Sequence, residues 1–149
     1  MDGVRAYWDG FKLVSKNGKK IHCPHWFIEG LPKDITLDGE LWMGQGTTVE
    51  DIQKAIHSKD SDWSNVGYYV FDLPSSGGTY ECRINEMDRI GGSFPLHVQI
   101  VKSIQCTGNK HLEEYFNSIM EANGEGVIAR RPNTMYEKGL TTSLLKVKV

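Results

Sequence analysis

Five charged residues stand in or at the start of expected strands, and as a set they suit an anionic ligand that carries a metal ion. Arg5 lies in the aromatic and β-branched run Val4-Arg5-Ala6-Tyr7-Trp8. Glu40 sits between Gly39 and Leu41 in an otherwise apolar run. Glu125 follows Gly124 and opens another strand, and Lys146 and Lys148 share one face of the last one. A charge half-buried on a sheet is costly unless it is paired or used. For any one of these residues alone, a solvated sheet face with alternating charge is the better account. Together, lysine and arginine offset phosphate charge, while carboxylates hold magnesium or a ribose hydroxyl.

The elements that must position these groups are legible from periodicity and turn chemistry. Residues 4–8 read as a strand, Asp9-Gly10 as a type I′ hairpin turn and residues 11–15 as the return strand. Asn17-Gly18 marks a second turn, followed by a short strand over 19–22. Residues 24–30 read as irregular or one helical turn, with Trp26 and Phe27 pointing inward. Strands are expected over 36–42, 66–73, 96–104, 126–131 and 143–149. Val49, Ile52, Ala55 and Ile56 recur at helical spacing, so 48–58 is a helix with Thr48 as its N-cap. A second helix is expected over 80–90, ended by Gly91-Gly92. A third spans 109–123, with Leu112, Tyr115, Phe116, Ile119 and Met120 on one face and Gly124 just past its end. This pattern is α+β with largely antiparallel sheets, and no repeat or low-complexity linker divides the 149 residues into more than one domain.

Composition narrows the classes. Hydrophobic residues at 39% and charged residues at 24% fit a soluble globular domain, and no apolar run reaches membrane-spanning length. The formal charge of −2 argues against a globally basic nucleic-acid binder, though a local strip suffices for such binding. Cys23, Cys82 and Cys106 are odd in number and widely spaced, which points to a reducing, intracellular compartment and away from a disulfide framework. His22, Cys23 and His25 lack a second ligand pair downstream and read as a loop with incidental histidines. Lys12, Lys16, Lys19 and Lys20 lie on or between the first turns; phosphate contacts and a solvated surface are equally good accounts of them. Trp8, Trp26, Trp42 and Trp63 each sit beside apolar neighbours and are assigned to the core rather than to base stacking.

Longer stretches carry a family resemblance. Asp2-Gly3-Val4-Arg5-Ala6-Tyr7-Trp8-Asp9-Gly10 resembles motif I of the ATP-dependent DNA ligases, and its Ala-Tyr-Trp-Asp-Gly continuation is similar to that of the minimal ligases. Leu37-Asp38-Gly39-Glu40-Leu41-Trp42 resembles motif III, and Tyr69-Val70-Phe71-Asp72-Leu73-Pro74 resembles motif IIIa. Glu125-Gly126-Val127-Ile128 resembles motif IV, and Leu144-Leu145-Lys146-Val147-Lys148 resembles motif V. Each hexamer alone is a weak match, but five in family order across the whole chain make chance a poor account. Ser15-Lys16-Asn17-Gly18 resembles motif Ia, with Lys16 where the family usually has arginine.

The resemblance implies a nucleotidyltransferase (ATP-grasp-like) adenylation domain that uses ATP or AMP and Mg2+ or another divalent metal. It implies nicked double-stranded DNA as partner, strand joining in DNA repair, recombination and replication, and no membrane. Arg5 would contact the adenylate ribose and the 3′ end of a bound nick. Glu40 would accept a hydrogen bond from the ribose hydroxyl, and Phe71 would stack on adenine. Glu125 would support the metal, Lys146 and Lys148 would hold the α-phosphate, and Lys16 would grip the DNA backbone. Asp2 and Gly3 would shape the turn that presents the family's nucleophilic lysine.

That lysine would be the residue before Met1, which the sequence does not contain. The family also carries an oligonucleotide-binding (OB) fold domain after the position of Val149, and an N-terminal segment that helps enclose adenine. The expectation is therefore a single adenylation domain, truncated before the motif I lysine, that does not form lysyl-AMP, with any OB domain supplied elsewhere. The alternative is a catalytically inactive nucleotide- or nucleic-acid-binding remnant of a ligase. RNA ligases and capping enzymes share the Lys-x-Asp-Gly core, but the Ala-Tyr-Trp-Asp-Gly and Val-Phe-Asp-Leu-Pro runs are closer to DNA ligases.

Overall fold

A computed structural model describes residues 3–44, 46–57, 63–76, 78–122, 126–130, 136 and 144–148, with the backbone alone at 76, 126 and 144–148. Its larger sheet has five strands in the order β2-β1-β3-β4-β5, formed by β1 (Val4–Trp8), β2 (Leu13–Ser15), β3 (Leu37–Trp42), β4 (Gly67–Asp72) and β5 (Val98–Ile100). The β2-β1-β3-β4 pairs are antiparallel, as the sequence pattern predicts. The β4–β5 pair is parallel, because the chain crosses from one strand to the other through a helix. A second sheet pairs β6 (Gly126–Arg130) with β7 (Leu144–Lys148), again antiparallel.

Helices α2 (Val49–His57), α3 (Tyr80–Gly91) and α4 (Asn109–Glu121) are the three expected, beside a single turn α1 (His25–Ile28) and a 3-10 turn at Pro74–Ser76. Thr48 caps α2 reciprocally with Asp51: its hydroxyl accepts from the Asp51 N–H at 3.3 Å, and the Asp51 carboxylate accepts from the Thr48 N–H at 2.9 Å. Thr79 accepts from the Cys82 N–H at the start of α3. The apolar face of α4 is only half-buried at Leu112, Tyr115, Phe116, Ile119 and Met120.

Several local expectations change. The first hairpin closes through residues 9–12, because the Asp9 carboxylate accepts from both the Phe11 and Lys12 N–H groups at 2.8 Å. Only Gly10 has positive φ there, so the turn is not type I′ and β2 begins at Leu13, leaving Phe11 exposed. The strand expected over 19–22 reduces to one bridge between Val14 and Lys20. The strand expected over 96–104 keeps three residues. In α1, Phe27 is buried against Trp63 and His97, but Trp26 is 47% exposed, so its assignment to the core is corrected. A four-residue helix can turn only one of two adjacent aromatics inward.

The core lies on one face of the large sheet, built on Trp8, Leu13, Leu37, Leu41, Tyr68, Val70 and Leu73 with Ile52, Trp63 and Met87 packed among them. Tyr68 crosses over Gly39, where its hydroxyl donates to the carbonyls of Ala6 at 2.9 Å and Leu37 at 3.3 Å. A Cβ on Gly39 would lie 2.5 Å from the Tyr69 carbonyl oxygen, so the strands approach this closely only with glycine there.

Candidate active site on the polar face of the large sheet

Strand pleat sends alternate residues to the other face of the sheet, and register decides which of them meet. Arg5 on β1 is the register partner of Glu40 on β3, and Glu40 in turn that of Tyr69 on β4. An irregularity between Asp38 and Gly39 shifts the β3–β4 register, making Asp38 the partner of Asp72 and leaving Phe71 outside the paired ladder. The Arg5 guanidinium lies 5.5 Å from the centroid of the Phe71 ring. Arg5, Glu40 and Phe71, far apart in sequence, are therefore neighbours on one face.

Asp38 fixes Arg5. The Arg5 Nε donates to Oδ1 at 3.1 Å and Nη2 to Oδ2 at 2.5 Å. The Asp38 side chain is 2% exposed, whereas that of Arg5 is 51% exposed. The Tyr136 hydroxyl donates to the same Oδ2 at 2.6 Å. The bond to Asp38 raises the Arg5 pKa further above its ordinary value, against the opposing effect of burial. Burial, and then the bond to the Asp38 carboxylate, push the Tyr136 phenol above the usual tyrosine range.

A second set of charges lies beside the first. Arg83, wholly buried on α3, donates to the two oxygens of buried Asp72 at 2.6 and 3.2 Å and to the Gly78 carbonyl at 2.8 Å. Arg130 on β6 reaches the same carboxylate at 2.8 Å, with its guanidinium 4.2 Å from the centroid of the Tyr80 ring. Asp72 thus ties the second sheet to the first, and so does Asp38 through Tyr136. Three guanidiniums converge on two carboxylates here, with Glu40 half-buried alongside.

The remaining predicted positions fall elsewhere or outside the described residues. Lys16 is exposed in the turn after β2, at the edge of the sheet, directly after Ser15, the register partner of Ala6. Lys146 and Lys148 lie on β7, in register with Ile128 and Gly126. Glu125 and Asp2 lie outside the described residues. Gly3 backs directly onto β3, where a Cβ would meet the Leu41 carbonyl oxygen. Among the described residues, no three His, Cys, Asp or Glu side chains gather to hold a metal, so His22, Cys23 and His25 do not form such a site. With Lys12 and Lys20 they line a cleft of about 230 Å³. No described helix is long and apolar enough to cross a membrane.

The sequence reading missed Asp38, Asp72, Arg83, Arg130 and Tyr136 as site residues. Two left a signal: Asp38 and Asp72 are carboxylates in largely apolar strands, which are expected to have partners. Arg83 also left one, since it shares the inward stripe of α3 with Met87 at i, i+4 spacing. Nothing in the local pattern marks Tyr136.

The architecture and the chain both match known proteins. The family model described as ATP dependent DNA ligase domain matches residues 1–148. A DNA ligase of Haemophilus influenzae is 31% identical over 150 residues, covering 99% of this chain and 55% of that protein. A structure reported under "DNA binding with a minimal scaffold: Structure-function analysis of Lig E DNA ligases" superposes with a TM-score of 0.89 at 32% identity, over 100% of this chain and 59% of that one. The Chlorella virus DNA ligase-adenylate shares the fold, with a TM-score of 0.83 at 24% identity over 99% of this chain and 58% of that one. The chain therefore spans a little over half the length of these relatives. A mixed sheet with few helices, superposing on ligase nucleotidyltransferase domains and matched along almost its whole length, places this chain in the ATP-dependent DNA ligase domain family.

Proposed function

We propose that the chain acts as the adenylation domain of a DNA ligase, holding ATP or AMP against the Arg5–Glu40–Phe71 face and passing adenylate to the 5′-phosphate of nicked double-stranded DNA. The observation that carries this reading is the convergence of those three residues, from three different strands, on one face of the sheet. The Phe71 ring takes a flat guanidinium at 5.5 Å, and a flat base can use the same π surface. Glu40 supplies an acceptor for a ribose hydroxyl, and Arg5 a fork of donors for the ribose and for the 3′ end of the nick. Alternation along β6 and β7 gives positions 146 and 148 the same pleat as position 130, whose arginine reaches Asp72 on the first sheet. This supports the assignment of Lys146 and Lys148 to the α-phosphate.

Magnesium is commonly held by one or two carboxylates together with substrate phosphates rather than by an all-protein cage. Glu125 is the carboxylate assigned to support it, and the ion would neutralise phosphate charge as the transfer proceeds. The residues of this chain contribute orientation and fixed charge, which supply most of the catalysis in nucleotidyl transfer. Lys16 is assigned to the DNA backbone.

In the family reaction a lysine amine attacks the α-phosphate of ATP and expels pyrophosphate. The 5′-phosphate of the nick then takes the AMP, and the 3′-hydroxyl displaces it. The final step starts from DNA that already bears AMP, so it tests the Arg5–Glu40–Phe71 face apart from lysine adenylation. The experiment measures sealing of a pre-adenylated nick by the 149-residue chain with magnesium, beside its binding of nucleotide and of nicked DNA. The expected result is sealing. Nucleotide or DNA binding without sealing would replace the enzyme reading with that of an inactive binding remnant.

A further inference from the structure

We propose that Tyr136 is a positioning residue for Arg5: through Asp38, its hydroxyl holds the Arg5 guanidinium in place over Phe71. This rests on the reading that Arg5 meets the adenylate ribose and the nick terminus. The Arg5 side chain is half-exposed on a flexible stem, and Asp38 is the partner that confines it. Asp38 can confine it only if its own carboxylate is held in one orientation. Its Oδ1 meets the Arg5 Nε, and its Oδ2 takes both the Arg5 Nη2 at 2.5 Å and the Tyr136 hydroxyl at 2.6 Å. A hydroxyl donating to a carboxylate is a strong, charge-assisted bond with a narrow geometry.

Tyr136 is itself well placed to act as a fixed post. It lies between β6 and β7 in sequence, 98 residues from Asp38, so it joins the two sheets at the site. Its ring lies 5.9 Å from the guanidinium of Arg83, which is anchored by buried Asp72. Tyr136 therefore stands where the two charge clusters meet: its hydroxyl on Asp38, its ring beside Arg83. Removing the hydroxyl leaves the Arg5–Asp38 pair intact but free to rotate as a unit, because Oδ2 then loses the bond that fixes it from Tyr136. Arg5 stays charged and near the site but loses its register with the reacting ends.

The test is Tyr136→Phe in the 149-residue chain, with two readouts below the melting temperature. One is the Arg5 Nε–H resonance in a 15N spectrum, assigned by its loss in Arg5→Lys. The other is single-turnover sealing of pre-adenylated nicked DNA at saturating DNA. The expected result is faster solvent exchange of the Arg5 Nε–H, a roughly tenfold lower sealing rate and DNA affinity within about twofold, as befits one charge-assisted bond acting on geometry. An unchanged Nε–H overturns the proposal whatever happens to the rate, and so does a freed Nε–H with undiminished sealing. If the chain with Tyr136 does not seal, the functional reading fails by itself. The Nε–H signal then decides alone, loss supporting the positioning role and retention overturning it. Should Tyr136→Phe not fold, Asp38→Asn keeps an acceptor for the Tyr136 hydroxyl while removing the charge that holds Arg5. It should free the same Nε–H, and retention there overturns the proposal too.

Discussion

Arg83 carries a charge into the interior, and Asp72 is the reason the fold tolerates it. Both side chains are fully buried, and Asp72 uses both oxygens on the one guanidinium while also accepting from Arg130. Breaking a buried pair from one side leaves an uncompensated charge, which costs about 3–5 kcal/mol. Asp72→Ala is therefore expected to lower the unfolding free energy by an amount in that range, seen as a lower urea midpoint at unchanged slope, whereas Asp72→Leu with Arg83→Met should lose much less than the two single changes added together. A loss in the double variant equal to the sum of the two single losses would show that Arg83 is not held by Asp72. Cys23 gives a second check at this scale. Burial pushes its thiol up, so alkylation at mildly alkaline pH should modify the exposed Cys82 and Cys106 first, as peptide mass spectrometry would show. Arg5, Glu40 and Phe71 were legible because a charge or a ring in a strand of known motif has few alternatives. Tyr136 was not, since its partner lies 98 residues away and no local pattern encodes that pairing.

At the scale of elements, the site depends on how closely β3 approaches its neighbours. Gly39 is where β3 lies tight against β4: a Cβ there would meet the Tyr69 carbonyl oxygen at 2.5 Å and the Tyr68 ring at 2.9 Å. The first obstacle is backbone, so the strands must part rather than a side chain swing away. Gly39→Ala should destabilise by about 1–3 kcal/mol, the usual cost of overpacking. It should also move Phe71 relative to Arg5, because Gly39 borders the register shift that leaves Phe71 outside the ladder. Denaturant unfolding gives the first quantity, and the Phe71 ring shifts in an NMR spectrum give the second; a variant with native stability and native ring shifts would count against this account. Aromatic, β-branched and apolar runs located β1, β3 and β4, and helical spacing located α2, because each of them buries one face in the core. It overran β5, where the apolar alternation continues past the three residues that actually pair in parallel with β4. Parallel pairing depends on where a crossover returns the chain, and the residues of the strand itself do not record that. The hairpin turn was mistaken for a similar reason: Asp-Gly satisfies a type I′ turn, but it also permits a side-chain bond from Asp9 to two later N–H groups.

For the molecule as a whole, two tyrosine hydroxyls tie together segments that are far apart in sequence. Tyr68 bonds the carbonyls of Ala6 and Leu37 inside the core, and Tyr136 bonds Asp38 from the segment between β6 and β7. Burial raises both phenols well above the ordinary tyrosine range. The sign of the linkage follows directly. The folded state favours the protonated phenols, so their contribution is complete below the unfolded tyrosine pKa of about 10 and is lost as pH rises beyond it. Stability should therefore fall with increasing pH above about 10. Tyr68 has no route to ionisation short of opening the core, so its spectral step near 295 nm should coincide with loss of the far-ultraviolet dichroism signal. In Tyr68→Phe the neutral-pH stability should fall by about 1 kcal/mol for the lost hydrogen bonds, and the alkaline slope should become shallower. A wild-type chain whose tyrosines all ionise before the dichroism changes would place Tyr68 in contact with solvent, and the core described above, with Tyr68 laid across Gly39, would be wrong.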